Sequence, residues 1–124
     1  AATLLAALHP AELTVHNNGQ RPLVIKLMKS GEDGKATKTH MEDIKSKGKT
    51  TVMIAEPGNY YLKTMTEFPG MEPFCTKGDP FKVYAGNDGY SILTITITVT
   101  EDSISSGDPA KQPISKSEFD RDVE

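Results

Sequence analysis

The chain reads as an all-β fold, a sandwich of about seven strands. Three observations carry that expectation. Between Glu12 and Thr100 the apolar residues recur at every second position, in runs too short for helices. The runs are punctuated by turn chemistry such as Asn18-Gly19, Pro57-Gly58-Asn59 and Gly86-Asn87-Asp88-Gly89. No segment in that span sustains a helical period, which argues against alternating strand–helix units. The chain has 124 residues, enough to bury one ordinary core, since a protein of this size hides about two-thirds of its unfolded surface.

The elements follow in order. Leu13 and Val15 alternate with Thr14 and His16, and Asn17-Asn18-Gly19 turns the chain. Leu23, Ile25 and Leu27 then alternate with Val24, Lys26 and Met28, the pattern of a strong strand. Ser30 to Gly34 suits a hairpin loop, and the lysine-rich stretch to about Met41 reads as a weak, edge-like strand whose charges discourage unwanted pairing. After Lys47-Gly48, the run Thr50 to Ile54 ends at Glu56-Pro57-Gly58-Asn59. Tyr60, Leu62 and Thr64 then face one way, and Tyr61, Lys63 and Met65 the other. Phe81 to Tyr84 is a short strand. Ser91 to Thr100 sets Leu93, Ile95, Ile97 and Val99 opposite a row of threonines, which β-branched propensity explains. Three sections follow: an apolar N-terminal segment over 1–11, a β-sandwich domain over 12–100, and a polar acidic tail over 101–124 with one helical turn around Ser115 to Val123.

The runs Leu13-Thr14-Val15-His16-Asn17, Pro22 to Leu27 and Val52-Met53-Ile54, with Pro57-Gly58-Asn59-Tyr60-Tyr61-Leu62-Lys63, resemble those of small immunoglobulin-like or transthyretin-like sandwich modules of exported bacterial surface proteins. The resemblance implies an immunoglobulin-like antiparallel sandwich. It also implies a corner at Gly58-Asn59-Tyr60, where the tyrosine ring caps the core and its hydroxyl bonds backbone. The chain departs from antibody-type domains in having no Trp and no cysteine pair. Such folds host many functions, so no catalytic residue carries over.

Composition narrows the chemistry. The net charge is −3, which argues against an electrostatic grip on nucleic acid. Residues 101–124 hold seven acids and three bases, against ten acids and eleven bases in residues 1–100, so the acidity is concentrated in the tail. No apolar run is long enough to span a membrane as a helix. The single cysteine, Cys75, cannot form an intrachain disulfide or a CxxC pair, and no nearby His activates it, so it reads as a small buried hydrophobe. His16, Met28, His40 and Met41 mix ligands that suit copper(I), but His16 and Met28 belong on outward faces of neighbouring strands. No catalytic set, metal site or cofactor is expected.

The segment from Glu67 to Pro80 is the most unusual, a long loop rich in apolar residues and prolines. Phe68, Met71, Phe74 and Cys75 either tuck down to close one end of the sandwich or present a surface. Tyr61 and Tyr84 are outward aromatics of the kind that platforms for sugars use. The candidate ligand-binding residues are therefore Phe68, Met71, Phe74, Tyr61 and Tyr84. The function expected is a non-enzymatic binding or structural module of an extracytoplasmic or envelope assembly, meeting a protein partner through loops or a strand edge. The alternative is a small-ligand module for a glycan or a metal ion at the 67–80 end. The sequence assigns no oligomeric state, and tail exchange between copies is one route to a dimer.

Overall fold

The computed structural model describes residues 9–86, 89–99 and 112–124. These form nine strands, β1 (Ala11–Asn17), β2 (Leu23–Ser30), β3 (Ala36–Ile44), β4 (Lys49–Ile54), β5 (Gly58–Thr66), β6 (Phe74–Lys77), β7 (Phe81–Val83), β8 (Ile92–Ile97) and β9 (Gln112–Ile114), and one helix, α1 (Lys116–Asp120). The expected apolar N-terminal residues 1–8, the Asn87-Asp88 turn, Thr100 and residues 101–111 of the acidic tail lie outside the described residues.

Two sheets pack face to face, so the fold is an all-β sandwich. The smaller has the order β4-β1-β8; the larger runs β3-β2-β5-β6-β9, with β7 also paired to β5. Every pairing in the larger sheet is antiparallel. In the smaller sheet β1 pairs antiparallel with β4 and parallel with β8. A parallel neighbour needs a crossover connection, and the chain does enter β8 after crossing from β7 on the other sheet.

Period-two patterning builds the core. Ala11, Leu13 and Val15 of β1, with Val52 and Ile54 of β4, face Leu23, Ile25 and Leu27 of β2 and Tyr60 and Leu62 of β5, all buried in one cluster. Each large side chain removed from water contributes roughly 1.5–3 kcal/mol. Phe81, Leu93 and Ile95 are only partly buried, at the margin where β8 leaves the small sheet open.

Two polar devices fix the corners. Asn17 is buried, and its amide nitrogen donates to the carbonyls of Arg21, Ile44 and Lys45 at 2.9, 3.0 and 3.1 Å while its oxygen accepts from Gly19 N. Position 19 favours glycine, because a Cβ there would sit a tight 3.0 Å from the Val99 carbonyl oxygen. At the opposite corner the Tyr60 hydroxyl donates to the Glu56 carbonyl at 2.6 Å, the bond that the Gly-x-Tyr element implies.

The structure departs from the sequence expectation in strand number. The weak, edge-like strand expected to about Met41 is a full nine-residue strand at the sheet edge, bulged where Leu27 and Met28 pair across to His40 and Lys38. The segment 67–80 is not an unbroken loop. Residues 67–73 and 78–80 are irregular, and Phe74–Lys77 between them form β6 on the edge of β5. β6 and β7 lie end to end along that edge, interrupted at Gly78-Asp79-Pro80. Gly78 still donates to the Leu62 carbonyl at 2.9 Å, but Pro80 has no amide to continue the ladder. The ninth strand, β9, comes from the acidic tail.

Candidate functional site

The outer face of the larger sheet is where this molecule is least ordinary. Antiparallel register sets Lys26 opposite Lys63, with Met28 opposite Tyr61 on one side and Val24 opposite Met65 on the other. Lys26 and Lys63 are 4% and 0% exposed. Like charges directly opposite repel, and an uncompensated buried ammonium costs several kcal/mol, so something must neutralise the pair.

Residues 112–124 do so, as a strap laid across the sheet from edge to edge. β9 enters by pairing with β6, Ile114 opposite Cys75. Ser115 then caps α1, its hydroxyl accepting from Glu118 N at 3.1 Å. The single helical turn carries Phe119 onto the sheet, where it is buried. The last carbonyls of so short a helix carry partial negative charge and are poorly satisfied, the Glu118 carbonyl accepting only a 3.2 Å backbone bond from the capping Arg121 N–H; the helix supplies no cation of its own there. Lysines from the sheet supply it. Lys63 Nζ donates to the carbonyls of Glu118 and Arg121 at 2.7 and 3.1 Å and forms an ion pair with the Glu124 carboxylate. Lys26 Nζ donates to the Phe119 carbonyl at 2.8 Å and Asp122 Oδ1 at 2.9 Å, and lies 5.0 Å from the centre of the Phe119 ring.

The strap leaves by pairing with β3 at the opposite edge. Ala36 and Glu124 exchange both backbone bonds, at 2.9 and 2.8 Å, and Lys38 N donates to the Asp122 carbonyl at 2.7 Å. Lys38 Nζ also reaches Asp122 Oδ2 at 3.3 Å. The charges respond to this setting. Burial, then repulsion by Lys26, holds Lys63 below the ordinary lysine pKa. The hydrogen bond from Lys26 holds Asp122 below the ordinary carboxylate range, with help from Lys38. Cys75 lies beneath the strap, and burial raises its thiol pKa, so it is a poor nucleophile at neutral pH.

The outer face of the smaller sheet differs. One row runs Met53, Glu12, Ile92 across β4, β1 and β8, and Met53 and Ile92 are both well exposed. Just beyond it, His9 and Tyr90 stack with ring centres 3.7 Å apart. Tyr90 and Tyr84 are exposed as well. Tyr84 is held by two bonds with Ser91, its N–H donating to Ser91 Oγ and its carbonyl accepting from Ser91 N, both at 2.9 Å. Lys82 Nζ lies 5.3 Å over its ring. Four large apolar or aromatic side chains are thus open to solvent at one end of the sandwich.

The five residues singled out from sequence do not assemble into one surface. Phe68 is buried in the core and Phe74 packs partly buried against it. Tyr61 points outward from the larger sheet but is not exposed: it is buried with Met28 and Ala36, with Lys77 Nζ 4.7 Å from its ring centre. Met71 and Tyr84 are exposed, but they stand beyond opposite ends of nine-residue β5, roughly 30 Å apart at strand rise. His16 faces out from the small sheet and Met28 lies under the strap, so the mixed His/Met set is not gathered. Among the described residues no group of three or more His, Cys, Asp or Glu is placed to hold a metal ion.

A cleft of about 140 Å³ opens beside the strand break, lined chiefly by Leu62, Thr76, Phe81, Ile95 and Asp79. It is small beside the roughly 300–1,000 Å³ of sites that enclose drug-sized ligands. Sequence reading missed Lys26, Lys63, Phe119, Asp122 and Glu124. Their signal is a lysine inside each of two strands whose neighbouring positions are apolar on both faces, together with the acidic, aromatic run Glu118-Phe119-Asp120. No family model, curated protein or solved structure matches this chain.

Proposed function

We propose that this chain is a non-enzymatic binding or structural module, immunoglobulin-like in design and working in an extracytoplasmic or envelope assembly, that meets a protein partner at the Tyr84–Tyr90 end. The carrying observation is the exposure of Met53, Ile92, Tyr90 and Tyr84 together at one end of the sandwich. Solvent-facing apolar side chains gathered in one place are characteristic of partner surfaces, and tyrosines anchor such contacts at low entropic cost. A loop between β7 and β8 presents both tyrosines from a rigid sandwich, the usual arrangement for binding residues.

The glycan or metal reading has less support. Of the clefts at the 67–80 segment, the one beside the strand break is small and mostly apolar, with few hydroxyl partners beyond Thr64, Thr76 and Asp79, and the one of about 360 Å³ at Arg21, Asp43, Met65 and Glu67 has no aromatic side chain for a sugar to stack on. Photo-crosslinking separates the readings. A benzophenone side chain at position 92 or 84 is expected to trap a discrete protein adduct in the source cell envelope, and one at exposed Thr51 none. Equal labelling at the three positions would overturn the assignment, as would a hydrolytic or transfer activity that vanishes on mutation of Cys75 or a histidine.

A further inference from the structure

We propose that the Lys26–Lys63 face of one copy docks residues 112–124 of a second copy, so that chains at high local density exchange straps. The strap is a self-contained ligand. Among the described residues, the hydrogen bonds and ion pairs that hold it to the body all end on the larger sheet, at Lys26, Ala36, Lys38 and Lys63 and along β6. It brings an aromatic anchor, Phe119, and carboxylates at 122 and 124 that match lysines already in place. Its two ends add to free strand edges, a recognition mode that depends on backbone bonds and is indifferent to which chain supplies them.

The covalent tie to the body is the twelve-residue segment 100–111, which contains Gly107 and Pro109. A second copy offers every contact of the first, so the closed and exchanged forms differ only through that tie. A tether of twelve residues gives an effective concentration on the order of millimolar. Dilute copies therefore stay closed, and exchange becomes competitive where copies are crowded to comparable density, as in an assembly.

Complementary full-length variants test this. An acceptor carries Phe119→Ala and Asp122→Asn, which disable its strap and leave its face intact. A donor carries Lys26→Glu, which disables its face and leaves its strap intact. Each alone is expected to sediment as a monomer, and an equimolar mixture at about 100 μM as a heterodimer, well below the millimolar tether concentration it no longer has to beat. In the mixture Cys75 of the acceptor should alkylate at least about tenfold more slowly than in the acceptor alone, because the incoming strap covers it.

If the donor fails to fold, a fluorescent peptide of residues 112–124 replaces it. Saturable binding to the acceptor, abolished by Phe119→Ala in the peptide, supports the docking face. A folded pair that stays monomeric overturns the exchange even if the peptide binds, and absence of peptide binding overturns it as well. Neither result touches the partner surface at the Tyr84–Tyr90 end, which the crosslinking reads independently.

Discussion

The two outer faces of this sandwich descend from the same alternating pattern and meet opposite fates. On the smaller sheet the outward residues Thr14, Thr51, Thr94 and Thr96 stay at the surface, with Thr14 and Thr51 hydroxyls bonded across the strands at 3.0 Å. On the larger sheet the outward residues Lys26, Met28, Tyr61 and Lys63 are buried beneath residues 112–124. The open face tolerates water because its polar groups, the threonine hydroxyls with Glu12 and His16, are ones that water or a neighbour satisfies. The covered face can be closed off from water only because its occupant neutralises two ammonium groups. Alternation therefore identifies which residues leave the core, and the chemistry of those residues decides whether they need a cover.

The sharpest way to break the contrast is to remove the anchor of the cover. Phe119→Ala is expected to cost about 3–5 kcal/mol, the usual range for a buried phenylalanine, in urea unfolding, with faster alkylation of Cys75 under native conditions. Glu124→Ala comes next. It leaves Lys63 with two carbonyls and no counter-charge, for an expected loss of about 3 kcal/mol, and a melting experiment in low and high salt would show little screening, since the pair is buried.

Acidification sharpens the comparison without mutation. Asp122 has a lowered pKa in the folded chain, so its contribution is complete above the unfolded carboxylate value of about 3.9 and is lost as pH falls from there through the folded value. Lys63 acts at higher pH and with the same sign: its folded pKa is also lowered, so stability again rises as pH climbs through that value and the cost of burying the ammonium is relieved. Below pH 4 the amides of Ala36 and Lys38, which bond to the strap, should lose hydrogen-exchange protection, after correction for intrinsic rates, before those of β1 do. Persistence of both sets together down to pH 2 would mean that the carboxylates do not hold the strap. The smallest effect belongs to the open face, where Thr94→Ala should stay within about 0.5 kcal/mol.

Much of the architecture was legible because it is local. β1, β2, β4, β5 and β8 each carry an alternating run bounded by turn residues, and the Gly58-Asn59-Tyr60 element announced its hydroxyl bond to Glu56. What escaped is non-local. β6 is four residues between Pro73 and Pro80, and β9 is three residues with Pro113 at its centre. β6 is too short for its Phe and Thr to announce a strand and β9 has no strand propensity to speak of; each pairs with an edge that offers unpaired backbone, and Pro113 is tolerated because β9 lies at the sheet edge. Tyr61 and Lys63 read as outward residues, and so they are, but the segment that covers them lies more than fifty positions away in a stretch whose composition suggests a solvated tail. The candidate contact residues fared similarly. Tyr84 is exposed as a binding residue should be, whereas burial of Phe68 and Tyr61 depends on which surface folds over them.

One consequence of the edge-to-edge path concerns self-association in cells. A sheet of this width has two terminal strands, and bare ones template the pairing that leads to fibres and inclusion bodies. Here β9 caps the β6 side, while Asp122 to Glu124 pair with the first residues of β3. The same thirteen residues thus shield both flanks at once, so a proteolytic nick within 100–111 followed by loss of the fragment would convert a protected sandwich into a two-sided, aggregation-prone one.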